Sequence, residues 1–155
     1  MADAGRPRTP TAAIRPFDQS LPMALLRARE AVMRGFRRLL REHGLNEQEW
    51  RIMRALMEAD ELEIGELAER VFILKPSATR TVKNLQARGI VGRSRPPSDQ
   101  RRAVISLTAK GCALFDELAP FSEQEYARIT QRIGRRDMDE LYLLLGRVTD
   151  ALNRG

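Results

Sequence analysis

Apolar positions recur at helical spacing over most of the chain and alternate in one short stretch. From Leu21 to Leu39 they return every three or four residues, and a glycine at Gly44 predicts where this first helix ends. Asn46 followed three residues later by Glu49 is a variant of the capping box and predicts the start of a second helix. The apolar stripe of that helix contains Trp50, Met53, Leu56 and Met57.

Two shorter helices are predicted next. The third has its apolar face at Ile64, Leu67, Ala68 and Val71. The fourth starts around Pro76, since proline is tolerated in a first helical turn, and ends at Gly89. Its inward-facing residues are Ala78, Val82 and Leu85.

The pattern then becomes alternating and returns to helical spacing after Thr108. Residues 91–95 and 102–107 predict two short strands, and residues 96–100 the turn between them. A long helix follows from Thr108 toward Ile133, and we expect Pro120 to bend or break it. A last helix runs from about Arg136 to Leu152 with an apolar stripe of leucines and valine. The predicted fold is therefore mainly α with a small β-hairpin wing, a winged helix-turn-helix.

The terminal helices carry more apolar surface than such a module needs alone. A symmetric homodimer is the simplest use of that surface. We accordingly predict a flexible tail at residues 1–18 and a single domain at 19–155. Within the domain, 19–45 and 109–155 are the dimerisation helices, and 46–108 form the winged helix-turn-helix.

Composition excludes several classes of protein. The chain has 155 residues, about one domain, and no apolar run of transmembrane or signal-peptide type, so we expect a cytoplasmic protein without a membrane partner. It has one cysteine, Cys112, and one histidine, His43, too few for an internal disulfide, a metal centre or the usual hydrolytic triads. We expect no cofactor and no catalytic residues, and we interpret Cys112 as a packing residue.

Positive charge is concentrated in one segment. Residues 75–102 hold eight basic residues and one acid, whereas the remainder of the chain holds 19 basic and 20 acidic residues. Such a basic block is typical of a protein that binds a polyanion. The alternative is a solvated basic face that binds nothing.

The fourth helix carries groups suited to a DNA major groove. Arginine and lysine bind guanine edges or phosphates, and threonine offers a methyl group to thymine. The candidate DNA-binding residues here are Lys75, Ser77, Ala78, Thr79, Arg80, Thr81, Lys83 and Asn84. An ordinary amphipathic surface helix is the alternative interpretation.

The hairpin extends the basic segment with Arg93, Arg95, Arg101 and Arg102. A long cation at a hairpin tip is suited to a narrow, A·T-rich minor groove. Asp99 is the acid of this segment, and we predict that it pairs with an arginine and orders the turn. A simple turn-forming role is the alternative, and both are structural.

Three segments resemble the MarR family: residues 74–80, 85–93 and 99–108. The resemblance extends from about Leu21 to Leu152. Residues 25–33 and 47–54 look most like the regulators of homoprotocatechuate-degradation operons. The resemblance implies a homodimeric transcriptional regulator, usually a repressor, whose recognition helices and wings bind a pseudo-palindromic operator in double-stranded DNA. It also implies release by a small phenolic or aromatic carboxylate ligand.

The implied ligand pocket would be bordered by segments that contain Arg29, Met33, His43, Trp50, Arg51 and Arg54. An aromatic acid needs a cation for its carboxylate and an apolar wall for its ring. Arg29 and Arg51 supply the first, and Met33 and Trp50 the second. Each has an alternative: Trp50 as a core residue, Arg29 as a surface or dimer charge, and His43 as a partner of the helix dipole.

Three functions remain for comparison. The leading hypothesis is a ligand-responsive DNA-binding repressor of an aromatic-compound catabolic operon. The second is a winged-helix protein–protein adaptor that binds DNA only non-specifically. The third, a small enzyme, is disfavoured because no nucleophile–base pair, metal cluster or phosphate-binding loop is present in the sequence.

Overall fold

The computed structural model describes residues 14–154, so most of the predicted tail at residues 1–18 lies outside the described residues. The chain forms two compact units, the first ending at Arg34 and the second beginning at Gly35. In the first unit a 3₁₀ turn, Phe17–Gln19, precedes helix α1. Helix α1 spans Leu21–Glu42 and continues into the second unit, which confirms the predicted first helix.

The second unit contains the remaining helices and strands in the predicted order, with one addition. Its elements are α2 (Glu47–Ala59), β1 (Glu61–Glu63), α3 (Ile64–Arg70), α4 (Lys75–Ala87), β2 (Val91–Ser94), β3 (Val104–Leu107), α5 (Ala109–Ile133) and α6 (Arg135–Asn153). The fold is mainly helical with a small sheet, as predicted.

Local sequence signals account for where the helices begin and end. The predicted capping box is present: Asn46 N–H donates to Glu49 Oε2 at 2.9 Å, and Glu49 N–H donates to Asn46 Oδ1 at 3.0 Å. Thr108 caps α5 by accepting a hydrogen bond from Gly111 N–H at 3.0 Å. After α4 the chain turns at Gly89, whose φ of +71° favours glycine.

The sheet has three antiparallel strands in the order β1-β3-β2. Strand β1 pairs Leu62 with Ile105 and was not predicted, because three residues are too few to show alternation. The hairpin strands are also shorter than predicted. The Asp99 backbone N–H bonds to Pro96 O, and the Arg102 N–H bonds to Asp99 O, so these groups close the turn and do not join the ladder.

We expected Pro120 to bend or break the long helix, and a break does not occur. Helix α5 runs without interruption from Ala109 to Ile133 with Pro120 inside it. Proline removes the hydrogen bond to the carbonyl four residues earlier, here that of Asp116. Asp116 lies on an exposed part of α5, so the lost hydrogen bond is not in the buried core.

The core of the second unit lies between α2, α3, α4 and the sheet. The largest fully buried side chains are those of Leu40, Ile52, Met53, Leu56, Leu67, Leu85, Ile90, Ile105 and Leu118. Ala78, Val82 and Leu85 of α4 are all buried, which confirms their inward orientation. Helix α6 differs, since none of its residues is buried. Within residues 14–154, no helix combines the length and apolarity needed to cross a membrane.

Candidate nucleic-acid interface

Helix α4 separates the predicted DNA-binding residues into an outer and an inner set. Lys75, Arg80 and Lys83 are exposed, whereas Ser77 and Thr79 are half-buried. Thr79 Oγ1 donates to the Lys75 carbonyl at 3.0 Å, a local bond that leaves its methyl group available. The three cations therefore extend from the helix into solvent.

Two residues of the predicted set belong to the inner side of α4. Ala78 is 0% exposed, so the prediction that it contacts DNA is wrong for its side chain, which packs in the core. Thr81 is buried as well, and its hydroxyl lies 2.9 Å from the Ser77 carbonyl and 3.2 Å from Gln48 Oε1 on α2, the two acceptors available to its single hydrogen. Both residues lie on the inner side of α4, because an amphipathic helix packs one side into the core.

Asn84 takes part in a polar network that joins α4 to the start of α2. Its Nδ2 donates to Glu49 Oε1 at 2.7 Å, and Arg88 Nη1 donates to the same oxygen at 3.1 Å. Arg88 Nη2 also donates to the Gly44 carbonyl at 2.8 Å. Glu49 is buried, and these donors, together with its capping bond, satisfy its carboxylate. Asn84 was predicted to contact DNA, and in this structure its amide is held by Glu49.

The wing, defined as β2, β3 and the loop between them, presents four exposed arginines: Arg93, Arg95, Arg101 and Arg102. Asp99 lies in its loop, where its carboxylate accepts a hydrogen bond from the Arg101 backbone N–H at 3.0 Å. Asp99 thus pairs with an arginine as expected, but through the backbone N–H of Arg101 and not through a guanidinium group.

Arg102 differs from the other wing arginines because it forms an ion pair with Glu63 at the end of β1. The hydrogen bond to Glu63 and the charge of that carboxylate raise the pKa of Arg102. Arg102 was predicted to contact DNA; its guanidinium is instead shared with β1, a strand that the sequence analysis did not find.

Several of the predicted ligand-binding residues have partners within the chain. Trp50 is 7% exposed and stacks on Phe115, with ring centroids 5.1 Å apart, so the alternative of a core residue is the one observed. Arg51 Nη1 donates to the Val71 carbonyl at 2.7 Å, which ties α2 to the end of α3. Arg29 forms an ion pair with Glu30 at 3.1 Å in the first unit, where Met33 is half-buried.

His43 has partners that explain its position without a ligand. Its Nδ1 donates to the Leu39 carbonyl at 2.9 Å, and its Nε2 lies 3.6 Å from Glu117 Oε1. Its ring also lies near that of Phe121, with centroids 5.9 Å apart.

A cation and two aromatic rings meet where α2 faces α5. Arg54 Nη1 donates to the Tyr126 hydroxyl at 3.1 Å, and the Tyr126 ring lies 4.8 Å from that of Phe36. Arg54 is exposed and has no carboxylate partner among the described residues. Sequence analysis placed Arg54 beside the implied pocket but missed Tyr126, because a tyrosine within a helical pattern looks like any other packing residue.

A separate cavity of about 260 Å³ lies between α5 and the part of α1 that begins at Gly35. Its polar lining includes Glu125, whose carboxylate accepts two hydrogen bonds from Arg128. The Arg128 hydrogen bond, with help from the charges of Arg128, Arg38 and Arg132, lowers the pKa of Glu125. The Arg128 guanidinium is therefore already engaged.

Helices α3 and α4, followed by the hairpin, define a winged helix-turn-helix, a class of DNA-binding regulator. The chain belongs to the MarR family, whose sequence profile matches residues 43–102. It is 40% identical over 126 residues to the homoprotocatechuate degradative operon repressor of Escherichia coli, which covers 81% of this chain and 85% of that protein.

Solved structures agree with this assignment. NadR in complex with 4-hydroxyphenylacetate is 35% identical, with a TM-score of 0.72 over 92% of this chain and 97% of that one. The repressor CouR, bound to a 23-mer DNA duplex, is 25% identical, with a TM-score of 0.77 over 89% of this chain and 99% of that one. The protein is a transcriptional regulator of MarR type, and the exclusion of an enzyme is confirmed by the function of its relatives.

Proposed function

We propose that the protein is a homodimeric repressor that binds a pseudo-palindromic operator and is released by a small phenolic or aromatic carboxylate. The observation that carries DNA binding is the set of exposed cations on α4 and the wing. These are Lys75, Arg80, Lys83, Arg93, Arg95 and Arg101. Helix α4 packs against β2, so the recognition helix and the wing belong to one packed unit.

Two copies are needed because operator half-sites are read one helical turn apart. The exposed apolar side chains of α6 support dimerisation: Leu141, Tyr142, Leu143, Leu144, Leu145, Val148 and Leu152. An apolar face of this size is normally covered by a partner. In the first unit, Leu21, Leu25, Leu26 and Val32 are exposed as well. We therefore assign dimerisation to residues 19–45 and 109–155, and DNA binding to 46–108.

Binding of wild-type protein to the promoter region beside its own gene tests this function. We expect affinity well above that for random DNA of equal length. Affinity should fall by about 10³-fold or more between 50 and 200 mM salt, because several phosphates are neutralised. Equal affinity for both DNAs would favour the adaptor hypothesis.

The effector proposal is supported by two relatives and one site. The Escherichia coli relative represses a homoprotocatechuate degradative operon, and NadR binds 4-hydroxyphenylacetate. In this chain, Arg54 offers a cation beside the rings of Phe36 and Tyr126. A carboxylate on Arg54 with its ring against Tyr126, which is less buried than Phe36, would satisfy both halves of an aryl acid.

Calorimetric titration with 4-hydroxyphenylacetate tests the effector site. We expect wild-type protein to bind it and Arg54→Gln to lose at least tenfold in affinity. Arg70→Gln is the matched control, because Arg70 is also a partly exposed arginine but pairs with Glu58 at 2.9 Å. Equal loss in both variants would remove Arg54 from the proposal.

A further inference from the structure

The turn between α3 and α4 contains two large apolar side chains in places where the fold does not require them. Phe72 is 90% exposed and Leu74 is 78% exposed. Ile73, between them, is half-buried and packs against the core cluster. The attachment of the turn to the core is thus provided by Ile73, and the two flanking side chains point into solvent.

Phe72 also occupies an unfavourable backbone conformation. Its φ is +54°, in the left-handed region that favours glycine. It follows the last turn of α3, where its N–H donates to the Glu69 carbonyl at 3.2 Å and the Ile73 N–H donates to the Ala68 carbonyl at 3.1 Å. These are the bonds of a helix C-terminus that normally ends in glycine. Phenylalanine is therefore present here against local preference.

Leu74 breaks a second local preference. It is the N-cap residue of α4 and provides no side-chain hydrogen bond to the first turn. Serine, threonine, aspartate or asparagine is favoured at this position, because each has an oxygen that accepts from a free N–H group. Local rules are broken most often at functional sites, where another demand outweighs stability.

We propose that Phe72 and Leu74 form an apolar contact with thymine methyl groups of the operator and so help determine its sequence. The turn immediately precedes the first residues of α4, and the charged residues of α4 are all basic: Lys75, Arg80 and Lys83. Positive charge along α4, which begins with Lys75 directly after Leu74, draws the polyanionic duplex toward this helix. In the major groove, the thymine 5-methyl is the apolar group that a base edge presents.

The proposal rests on the proposed operator binding. The first measurement therefore distinguishes failure of the thymine contact from failure of operator binding. Wild-type protein is titrated with a footprinted operator, with random DNA, and with operators in which deoxyuridine replaces thymine at one position per half-site. At the contacted position we expect affinity to fall about fourfold for each methyl group lost, the effect of removing one buried CH₂-sized group. Failure to prefer the operator over random DNA would instead contradict the proposed function.

The second measurement uses variants that restore the local preferences. Phe72→Gly and Leu74→Asn should both raise the urea midpoint of unfolding, since one relieves backbone strain and the other adds a cap. Both variants should nevertheless bind the operator more weakly. Their operator affinity should no longer depend on whether thymine or deoxyuridine is present. The matched controls Phe72→Leu and Leu74→Met keep apolar side chains and should retain the thymine dependence.

Two results would overturn the inference while leaving the proposed function intact. One is unchanged operator affinity in Phe72→Gly and Leu74→Asn, together with equal wild-type affinity for thymine and deoxyuridine operators. The other is normal operator binding by these variants with loss of repression in a transcription assay that contains RNA polymerase. That second result would assign the apolar turn to a protein partner.

Discussion

At the scale of single residues, the function depends on which side chains remain available on the surface. On α4 and the wing, Arg80 and Arg95 are exposed, whereas Arg102 is engaged by Glu63. A basic residue that already pairs with a carboxylate must exchange that partner before it binds a phosphate. The nominal charge of the segment therefore overstates what is offered to DNA.

Replacement of a single exposed arginine should weaken operator binding. We expect Arg80→Ala and Arg95→Ala each to cost about 1–3 kcal/mol if the side chain contacts a base edge. Arg102→Ala is the internal comparison and should cost less, because the Arg102 guanidinium has to exchange Glu63 before it can bind DNA. Gel-shift titrations at fixed salt measure these differences. Wild-type affinity in the Arg80→Ala/Arg95→Ala double variant would contradict the assignment of both residues.

Gly35 lies directly beside the Glu125 carboxylate. A Cβ built at Gly35 would overlap that carboxylate, which Arg128 holds in place. Alanine is normally more favourable than glycine in a helix by about 1 kcal/mol. Here we expect Gly35→Ala to show no such gain, because the new methyl group displaces the Glu125 carboxylate from Arg128. In the control Gly65→Ala nothing lies within 4 Å, so urea unfolding should show little loss or a gain.

The Glu125–Arg128 pair should also make stability depend on pH. The pKa of Glu125 is lowered in the folded protein, chiefly by the Arg128 hydrogen bond. Its contribution is then fully present above the unfolded carboxyl pKa of about 4.3 and is lost as pH falls through the lower folded value. The stability difference between wild type and Glu125→Gln should shrink as the pH falls from about 5 to about 3. Urea titrations across this range measure it, and a difference that grows on acidification contradicts the mechanism.

At the scale of elements, the orientation of the recognition helix depends on one buried carboxylate. Glu49 caps α2 and accepts hydrogen bonds from Asn84 and Arg88 near the C-terminal end of α4. Arg88 continues the connection to the Gly44 carbonyl in the turn between α1 and α2. The turn between α1 and α2 is therefore joined to α4 through a continuous set of polar contacts.

Glu49→Gln should therefore reduce both stability and operator affinity. We expect a loss of about 1.5–3 kcal/mol in the free energy of unfolding, the usual value of hydrogen bonds to a charged group. Glu58→Gln is the matched control on the same helix, since its pair with the partly exposed Arg70 is worth about 1 kcal/mol or less. Urea unfolding and gel-shift titration provide the two readouts. An equal loss in both variants would show that the network has no special role.

At the scale of the whole molecule, the distribution of apolar surface points to association. Helix α6 has 19 residues and buries none of them within the chain. The predicted stripe of Leu141, Leu144, Leu145 and Val148 is exposed throughout. Burial of this stripe between two copies would remove the apolar surface from water and stabilise a dimer. It would also set the spacing of the two recognition helices.

A charge placed in this stripe should separate the copies. We expect Leu145→Asp to convert a dimer into monomers and to abolish high-affinity operator binding, because the two half-sites are then bound independently. Glu140→Asp adds no new charge to the same helix and serves as the control. Light scattering across a concentration series measures the mass. A wild-type chain that remains monomeric at micromolar concentration would contradict the dimer.

Sequence periodicity was sufficient for the helices, because helix caps and the 3.6-residue repeat are local properties. Asn46 with Glu49, Thr108 and the apolar faces of α2 and α4 all lie where the pattern placed them. Strand β1 and the uninterrupted passage of α5 through Pro120 were not accessible in this way. The first is defined by a partner strand more than forty residues away along the chain. For the second, the local pattern gives only the cost of a proline inside a helix, and not whether the folded chain tolerates it.

For the candidate site, the sequence alone determined the basic segment, its placement on a helix and a wing, and membership of a family of regulators. Only the tertiary structure decided which of those residues are available. Ala78 and Thr81 turn inward, Asn84 is held by Glu49, and Arg102 pairs with Glu63. The physical reason is that charge is set by the residue itself and helical periodicity by its near neighbours in the sequence. Its freedom to bind depends on groups that folding brings from distant parts of the chain.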